Sequence, residues 1–148
     1  MEQVAEDEIK KLIQQDIIEP VKEYAEFQSS VVIVPKRDGT SRFGVDMREV
    51  NKRIGKDSHP FLTWERLAAK LDGSKWYSKL DLKQAFYHVK LDEASKTVTT
   101  FSTHIGLFRF KRLVFGMSAT SEIFQRIFEE LMRDIPGLVI YIDDILTF

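Results

Sequence analysis

The sequence predicts an α+β domain, and three observations carry that prediction. β-branched and aromatic runs that read as strands are interleaved with amphipathic stretches at helical spacing. The runs come in hairpin-like pairs around turn residues rather than in regular strand–helix–strand order. No repeat, low-complexity stretch or linker interrupts the 148 residues, a length that suits a single domain, residues 1–148.

In chain order, Val4 to Ile18 places Ile9, Leu12, Ile13 and Ile17 at helical spacing among Glu, Lys and Gln, and Pro20 is expected to end that helix. Val31-Val32-Ile33-Val34-Pro35 is a β-branched run, Asp38-Gly39 a turn, and Arg42 to Met47 the return strand of a hairpin. Beyond Pro60, Thr63 is placed to cap a helix reaching Leu71, with Asp72-Gly73 as its stop. From Trp76 to Leu82 the residues alternate: Trp76, Ser78, Leu80 and Leu82 share one face, Tyr77, Lys79 and Asp81 the other. Thr97 to Phe101 and Leu107 to Lys111 read as strands around His104-Ile105-Gly106. Ser121 to Arg133 carries Ile123, Phe124, Ile127, Phe128, Leu131 and Met132 in a wide apolar stripe, and Pro136-Gly137 ends it. Leu138 to Phe148 is two apolar strands separated by Asp143-Asp144.

Composition narrows the chemistry. Apolar residues make up 43% and aromatics 11%, which argues against disorder. Cysteine is absent, so disulfides, thiolate zinc sites and a Cys nucleophile are excluded. His59, His88 and His104 are scattered, which argues against a His-based metal cage. No apolar run approaches the roughly 20 residues that span a bilayer, and the N-terminus is acidic; the expectation is an intracellular domain with no membrane partner. Lys and Arg number 22 against 23 Asp and Glu, unlike a free-standing nucleic-acid binder. Locally, Lys36 to Arg53 holds Lys36, Arg37, Arg42, Arg48, Lys52 and Arg53 against Asp38, Asp46 and Glu49, the stretch where a polyanion would be met.

The acids are the feature an ordinary domain does not explain. Strand interiors disfavour Asp, yet Asp143-Asp144 separates two apolar strands and Asp81 ends a third. A hairpin turn accounts for the pair and a helix cap for Asp81. Taken together, carboxylates from separate strands can converge at one sheet edge, where they repel unless a hard cation neutralises them. Two Mg²⁺ ions held so are how polymerases and nucleases clamp the attacking and leaving oxygens.

Tyr141-Ile142-Asp143-Asp144 resembles the YxDD box of reverse transcriptases, and three further stretches resemble that family's motifs in order. They are Lys79-Leu80-Asp81-Leu82-Lys83-Gln84-Ala85-Phe86, then Phe115-Gly116-Met117 with Phe124-Gln125-Arg126, and the earlier Lys36 to Arg42 with Val45 to Lys52. Phe101 to Leu113 is similar to the gypsy class of LTR retrotransposons. The resemblance covers nearly the whole chain.

It implies the fingers and palm of an RNA-directed DNA polymerase, with a mainly antiparallel, split-βαβ-like palm sheet reaching to just past the catalytic hairpin. The reaction would be attack of a primer 3′-hydroxyl on the α-phosphate of a deoxynucleoside triphosphate, on an RNA or DNA template. Asp81 and Asp143 would ligate two Mg²⁺ ions (Mn²⁺ as the substitute), with Asp144 beside them and Leu82 lending its carbonyl. Lys36 and Arg42 would grip the triphosphate, Arg37 being an alternative to Lys36. Phe86 would lie under the sugar and exclude a 2′-hydroxyl, with core filling as its plainer reading, and Gln125 would face the template–nucleotide pair. Asn51, Gly116 and Tyr141 fall on the template–primer side, while Asp46 and Arg48 read as internal anchors or template contacts. Ser121 stands where the family usually has Pro. The family's thumb, primer grip and RNase H are expected to lie outside residues 1–148, so that these residues alone would bind nucleic acid weakly without extending a primer. Two other readings stand beside this one: a non-catalytic truncated remnant, and a two-metal nuclease for which no water-positioning motif is found.

Overall fold

The apolar stripe of the first segment forms α1 (Glu2–Gln14), burying Ala5, Ile9 and Leu12. The helix stops well before Pro20, the expected terminator. Asp16 takes a left-handed φ of 57°, and the Ile17 amide donates back to the Leu12 carbonyl at 2.9 Å, while that of Asp16 donates to Ile13 at 3.0 Å. These nested bonds close the helix as a C-terminal cap does. Pro20 then lies inside a strand, β1 (Ile18–Val21), at the edge of a sheet, where a missing N–H costs the ladder least.

This computed structural model describes residues 2–35, 41–55 and 59–148. They fall into two compact units: one formed by the chain up to Ile54 with Tyr87–Ser118, the other by Gly55–Phe86 with Ala119–Phe148.

In the first unit, β2 (Ser29–Pro35) and β3 (Ser41–Val45) form the expected antiparallel hairpin, with Val31 opposite Val45; the turn at Asp38-Gly39 lies outside the described residues. α2 (Arg48–Asn51) follows directly. The expected strand from Thr97 begins only at Phe101. Asp92 caps a helix, α4 (Glu93–Val98), by accepting the Ser95 N–H at 2.7 Å, and the cap draws Thr97 and Val98 into helical turns despite their β preference. The Thr99 and Thr100 hydroxyls donate to the carbonyls of Lys96 and Thr97, each at 2.7 Å, and close that helix. β5 (Phe101–Thr103) and β6 (Gly106–Phe110) form the next hairpin. The five strands run β1-β6-β5-β2-β3, antiparallel except for the β2–β5 pair. Phe101, fully buried, packs its ring within 6.0 Å of those of Phe43, Phe108 and Phe110. Ile9, Leu12, Ile17 and Ile18 complete that core.

In the second unit, α3 (Trp64–Leu71) begins at Thr63, whose hydroxyl accepts the Arg66 N–H, and stops before Gly73 at φ 80°, as the sequence predicts. β4 (Ser78–Asp81) is shorter than the alternating run suggested and leads into a 3₁₀ turn, Ala85–His88, whose last two residues belong to the first unit. α5 (Thr120–Leu131) packs its stripe on β7 (Leu138–Tyr141), which turns through Ile142-Asp143 into β8 (Asp144–Thr147). The sheet order is β4-β8-β7, all antiparallel. Among the described residues no helix is long and apolar enough to cross a membrane.

One pH dependence follows from the fold. Asp46 accepts hydrogen bonds from the Arg48 guanidinium at 2.6–3.0 Å and from its backbone N–H at 3.1 Å, which hold its carboxyl down at about 2. A depressed carboxyl contributes stability that is present above its unfolded value and lost as pH falls through the folded one. The urea midpoint is therefore expected to decline between about pH 4 and pH 2, and Asp46→Asn to flatten part of that decline. An identical pH profile for the variant would remove Asp46 from the acid response.

Candidate functional site

The register of the three-stranded sheet decides where the acids go. β8 is its central strand, so Asp144 is paired with Asp81 on one side and with Tyr141 on the other. Directly opposed side chains on neighbouring antiparallel strands stand roughly 5 Å apart, and like charges there destabilise the pair. Asp143 is held in the turn beside them: its carbonyl accepts the Leu82 N–H at 2.9 Å. The chain segments bearing Asp81, Leu82, Asp143 and Asp144 thus converge at one end of one sheet.

Lys79 answers the repulsion. Two residues before Asp81 on the same face of β4, it donates to the Asp144 carboxylate at 2.8 Å, the diagonal neighbour across the ladder. Its ammonium is held above the ordinary lysine value, first by that hydrogen bond and the charge of Asp144, then by Asp81 and Asp143. All three acids therefore act on one cation. In the sequence Lys79 stands only as part of the motif around Asp81; its place two residues before that acid on an alternating strand is the signal of its role.

The donor set is all oxygen and sits on exposed or half-exposed strand ends, which suits a hard divalent cation. As the side chains stand, no three His, Cys, Asp or Glu groups among the described residues converge closely enough to hold a metal, and Asp144 is turned on to Lys79.

Both loops entering this region carry left-handed residues that are not glycine: Gln84 at φ 55° and Ile142 at φ 56°. For a β-branched residue that conformation is an outlier, costing about 1–3 kcal/mol, and it persists only where surrounding bonds over-determine it. Gln125 supplies them. Expected to face a nucleotide pair, it is instead fully buried on α5, because the hairpin's backbone consumes its amide. The Ile142 N–H donates to its Oε1 at 2.6 Å, and its Nε2 donates to the Ile140 carbonyl at 2.8 Å. Phe86 is also buried, its ring edge-on to that of Phe124 at 5.3 Å. Tyr141 is exposed, its ring 6.2 Å from that of Phe61.

The remaining candidates belong to the first unit. Lys36 lies outside the described residues, and Arg42 occupies β3 opposite Val34. Asn51 is an internal anchor: its Nδ2 donates to the Gly116 carbonyl at 2.8 Å and its Oδ1 accepts the Ser118 N–H at 2.7 Å. Gly116 has φ 92°, a conformation L side chains rarely adopt. The basic stretch is partly neutralised within itself, Arg48 on Asp46 and Lys52 on Glu49 at 2.6 Å each, while Arg53 lies 4.9 Å above the Phe27 ring.

A family model described as reverse transcriptase (RNA-dependent DNA polymerase) matches residues 34–148. The chain belongs to the reverse transcriptase family. It is 31% identical over 148 residues to the retrovirus-related Pol polyprotein from transposon 412 of Drosophila melanogaster, spanning 95% of this chain and 12% of that polyprotein. To the Pol polyprotein from transposon gypsy of the same species it is 31% identical over 151 residues, spanning 96% and 14%. The native prototype foamy virus protease-reverse transcriptase superposes with TM-score 0.80 at 28% identity, covering 93% of this chain and 18% of that one. The foamy viral enzyme in complex with an RNA/DNA hybrid superposes with TM-score 0.85 at 24% identity, covering 99% and 20%. This reverse transcriptase chain thus has the family's α+β fold and spans a small part of the length of the relatives it matches.

Replacing the cation at the carboxylate cluster is the direct test of its role. Lys79→Met should lower the thermal midpoint at low ionic strength, and the loss should shrink as salt screens Asp81 against Asp144. A loss indifferent to salt would mean that packing of the lysine stem, not its charge, is what matters.

Proposed function

We propose that these residues are the fingers and palm of a retroelement RNA-directed DNA polymerase, joining a deoxynucleoside triphosphate to a primer 3′-hydroxyl on an RNA or DNA template. The observation that carries the reading is the pairing of Asp81 with Asp144 on adjacent strands while the Asp143 carbonyl is tied to Leu82. Evolution of a structural domain gains nothing from opposing carboxylates at an exposed sheet end; a site for cations and phosphates does.

Asp81 and Asp143 would hold two Mg²⁺ ions between them, the Leu82 carbonyl adding a ligand and Asp144 completing the negative field. Bound divalent ions supply charge neutralisation at the α-phosphate and acidify the attacking hydroxyl. Asp144 is shared between Lys79 and this field, so Lys79 keeps the acids compatible before cations arrive. Lys36 and Arg42 are proposed to take the triphosphate, where a forked guanidinium and a mobile ammonium complement each other. Asn51 serves the template side through the 116–118 loop it fixes, rather than by direct contact with its amide. Phe86, packed edge-on against Phe124, is proposed as the ring that would lie beneath the sugar and leave a 2′-hydroxyl no room. The nucleic-acid complexes of the foamy viral enzymes support the partner class.

Two variants test this in a primer-extending polypeptide that contains residues 1–148. Asp143→Asn should cut Mg²⁺-dependent extension roughly a hundredfold or more. Unchanged extension would end the assignment. Phe86→Val should raise the ratio of ribonucleotide to deoxynucleotide kcat/KM by roughly tenfold. A flat ratio together with a lowered thermal midpoint would make Phe86 a core residue alone.

A further inference from the structure

We propose that Glu129 is a positioning residue that fixes the orientation of the Gln125 amide and, through it, the conformation of the turn bearing Asp143. The consequence for Asp143 rests on the polymerase reading; the hydrogen-bond argument does not.

A carboxamide has an oxygen end that only accepts and a nitrogen end with two donors. At Gln125 every one of these is assigned. Oε1 accepts from the Ile142 N–H at 2.6 Å; Nε2 donates to the Ile140 carbonyl at 2.8 Å and to Glu129 Oε1 at 2.7 Å. Turning the amide over would set its oxygen against two acceptors and its nitrogen against the Ile142 N–H. Glu129, four residues along α5, lies one helical turn away on the same face as Gln125. An ionised carboxylate accepts and never donates, so it commits the nitrogen end to itself and leaves the oxygen end for Ile142. Its other oxygen, Oε2, is 2.8 Å from His59 Nε2, which holds the carboxylate from the opposite side. The order is His59, Glu129, Gln125, Ile142, and every link is a single hydrogen bond within one unit.

The residue at the end of that chain is the one whose backbone is strained. Ile142 adopts φ 56°, and Asp143 follows it directly. Gln125 has no exposure to solvent, so water cannot replace the bond it gives Ile142. Glu129 therefore acts at a distance from the acids: it adds a third bond to the amide orientation that the Ile140 carbonyl and the Ile142 N–H require, and so strengthens the hold on the turn.

The test is amide hydrogen exchange at Ile142 in the 148-residue chain, read by NMR beside the affinity for Mn²⁺. Glu129→Ala should speed exchange at Ile142 at least roughly tenfold while buried amides of α5 such as that of Phe124 keep their protection. Glu129→Gln, which can still offer an acceptor oxygen to Gln125, should restore most of that protection; Glu129→Lys, which can only donate, should not. Unchanged exchange at Ile142 in folded Glu129→Ala and Glu129→Lys would overturn the inference. So would loss in Glu129→Gln equal to that in Glu129→Ala, since any disturbance at the position would then suffice. Mn²⁺ affinity weakened in Glu129→Ala and restored in Glu129→Gln extends the effect to Asp143. Absence of Mn²⁺ binding by the unaltered chain would count against the polymerase reading while the exchange result still judges Glu129.

Discussion

Two carboxylates facing each other across an antiparallel ladder are the constraint on which the second unit is organised. Asp81 and Asp144 are paired because β8 lies between β4 and β7, and nothing in the backbone lets one avoid the other. Such opposition destabilises a sheet, and the chain offsets it with a positive charge from the same strand as Asp81, Lys79. An ammonium on a flexible stem is a mobile counter-ion, and it offsets the charge of the acids in the protein alone.

The turn between β7 and β8 is the second consequence. Placing Asp143 in line with Leu82 requires a hairpin turn that puts β-branched Ile142 in the left-handed region. That conformation is held from outside the hairpin, by one buried glutamine on α5, so helix and hairpin form a single rigid support. The same economy recurs in the first unit, where the Asn51 amide bridges Gly116 and Ser118 and so shapes a loop through both of its polar ends.

Much of this was legible in the residues. Hairpins at Val31–Val45 and Leu138–Thr147, the Thr63-capped helix and the α5 stripe follow from period and propensity, which act locally. For Asp81, Asp143 and Asp144 the residues alone left a hairpin turn and a helix cap as alternatives, and it was the resemblance of their motifs that implied one shared site. What was not legible depends on competition or on long-range pairing. At Thr97-Val98 a cap outweighed β propensity, and at Asp16 a left-handed closure ended α1 before Pro20 could. Gln125 looks in sequence like any polar helix residue; only the register of β7 against α5 turns it inward. The helical repeat, four residues along α5, brings Glu129 to that amide.

The central claim is that the C-terminal end of β4, the β7–β8 turn and the start of β8 form one divalent-cation site. Paramagnetic broadening by Mn²⁺, titrated into the isotopically labelled 148-residue chain, reads this residue by residue. The account predicts selective loss of backbone signals around Asp81-Leu82 and Ile142 to Asp144 at low Mn²⁺, reversed by excess Mg²⁺ and absent in Asp143→Asn. Broadening that begins instead along the acidic face of α1, or that spreads evenly over all exposed carboxylates, would contradict it.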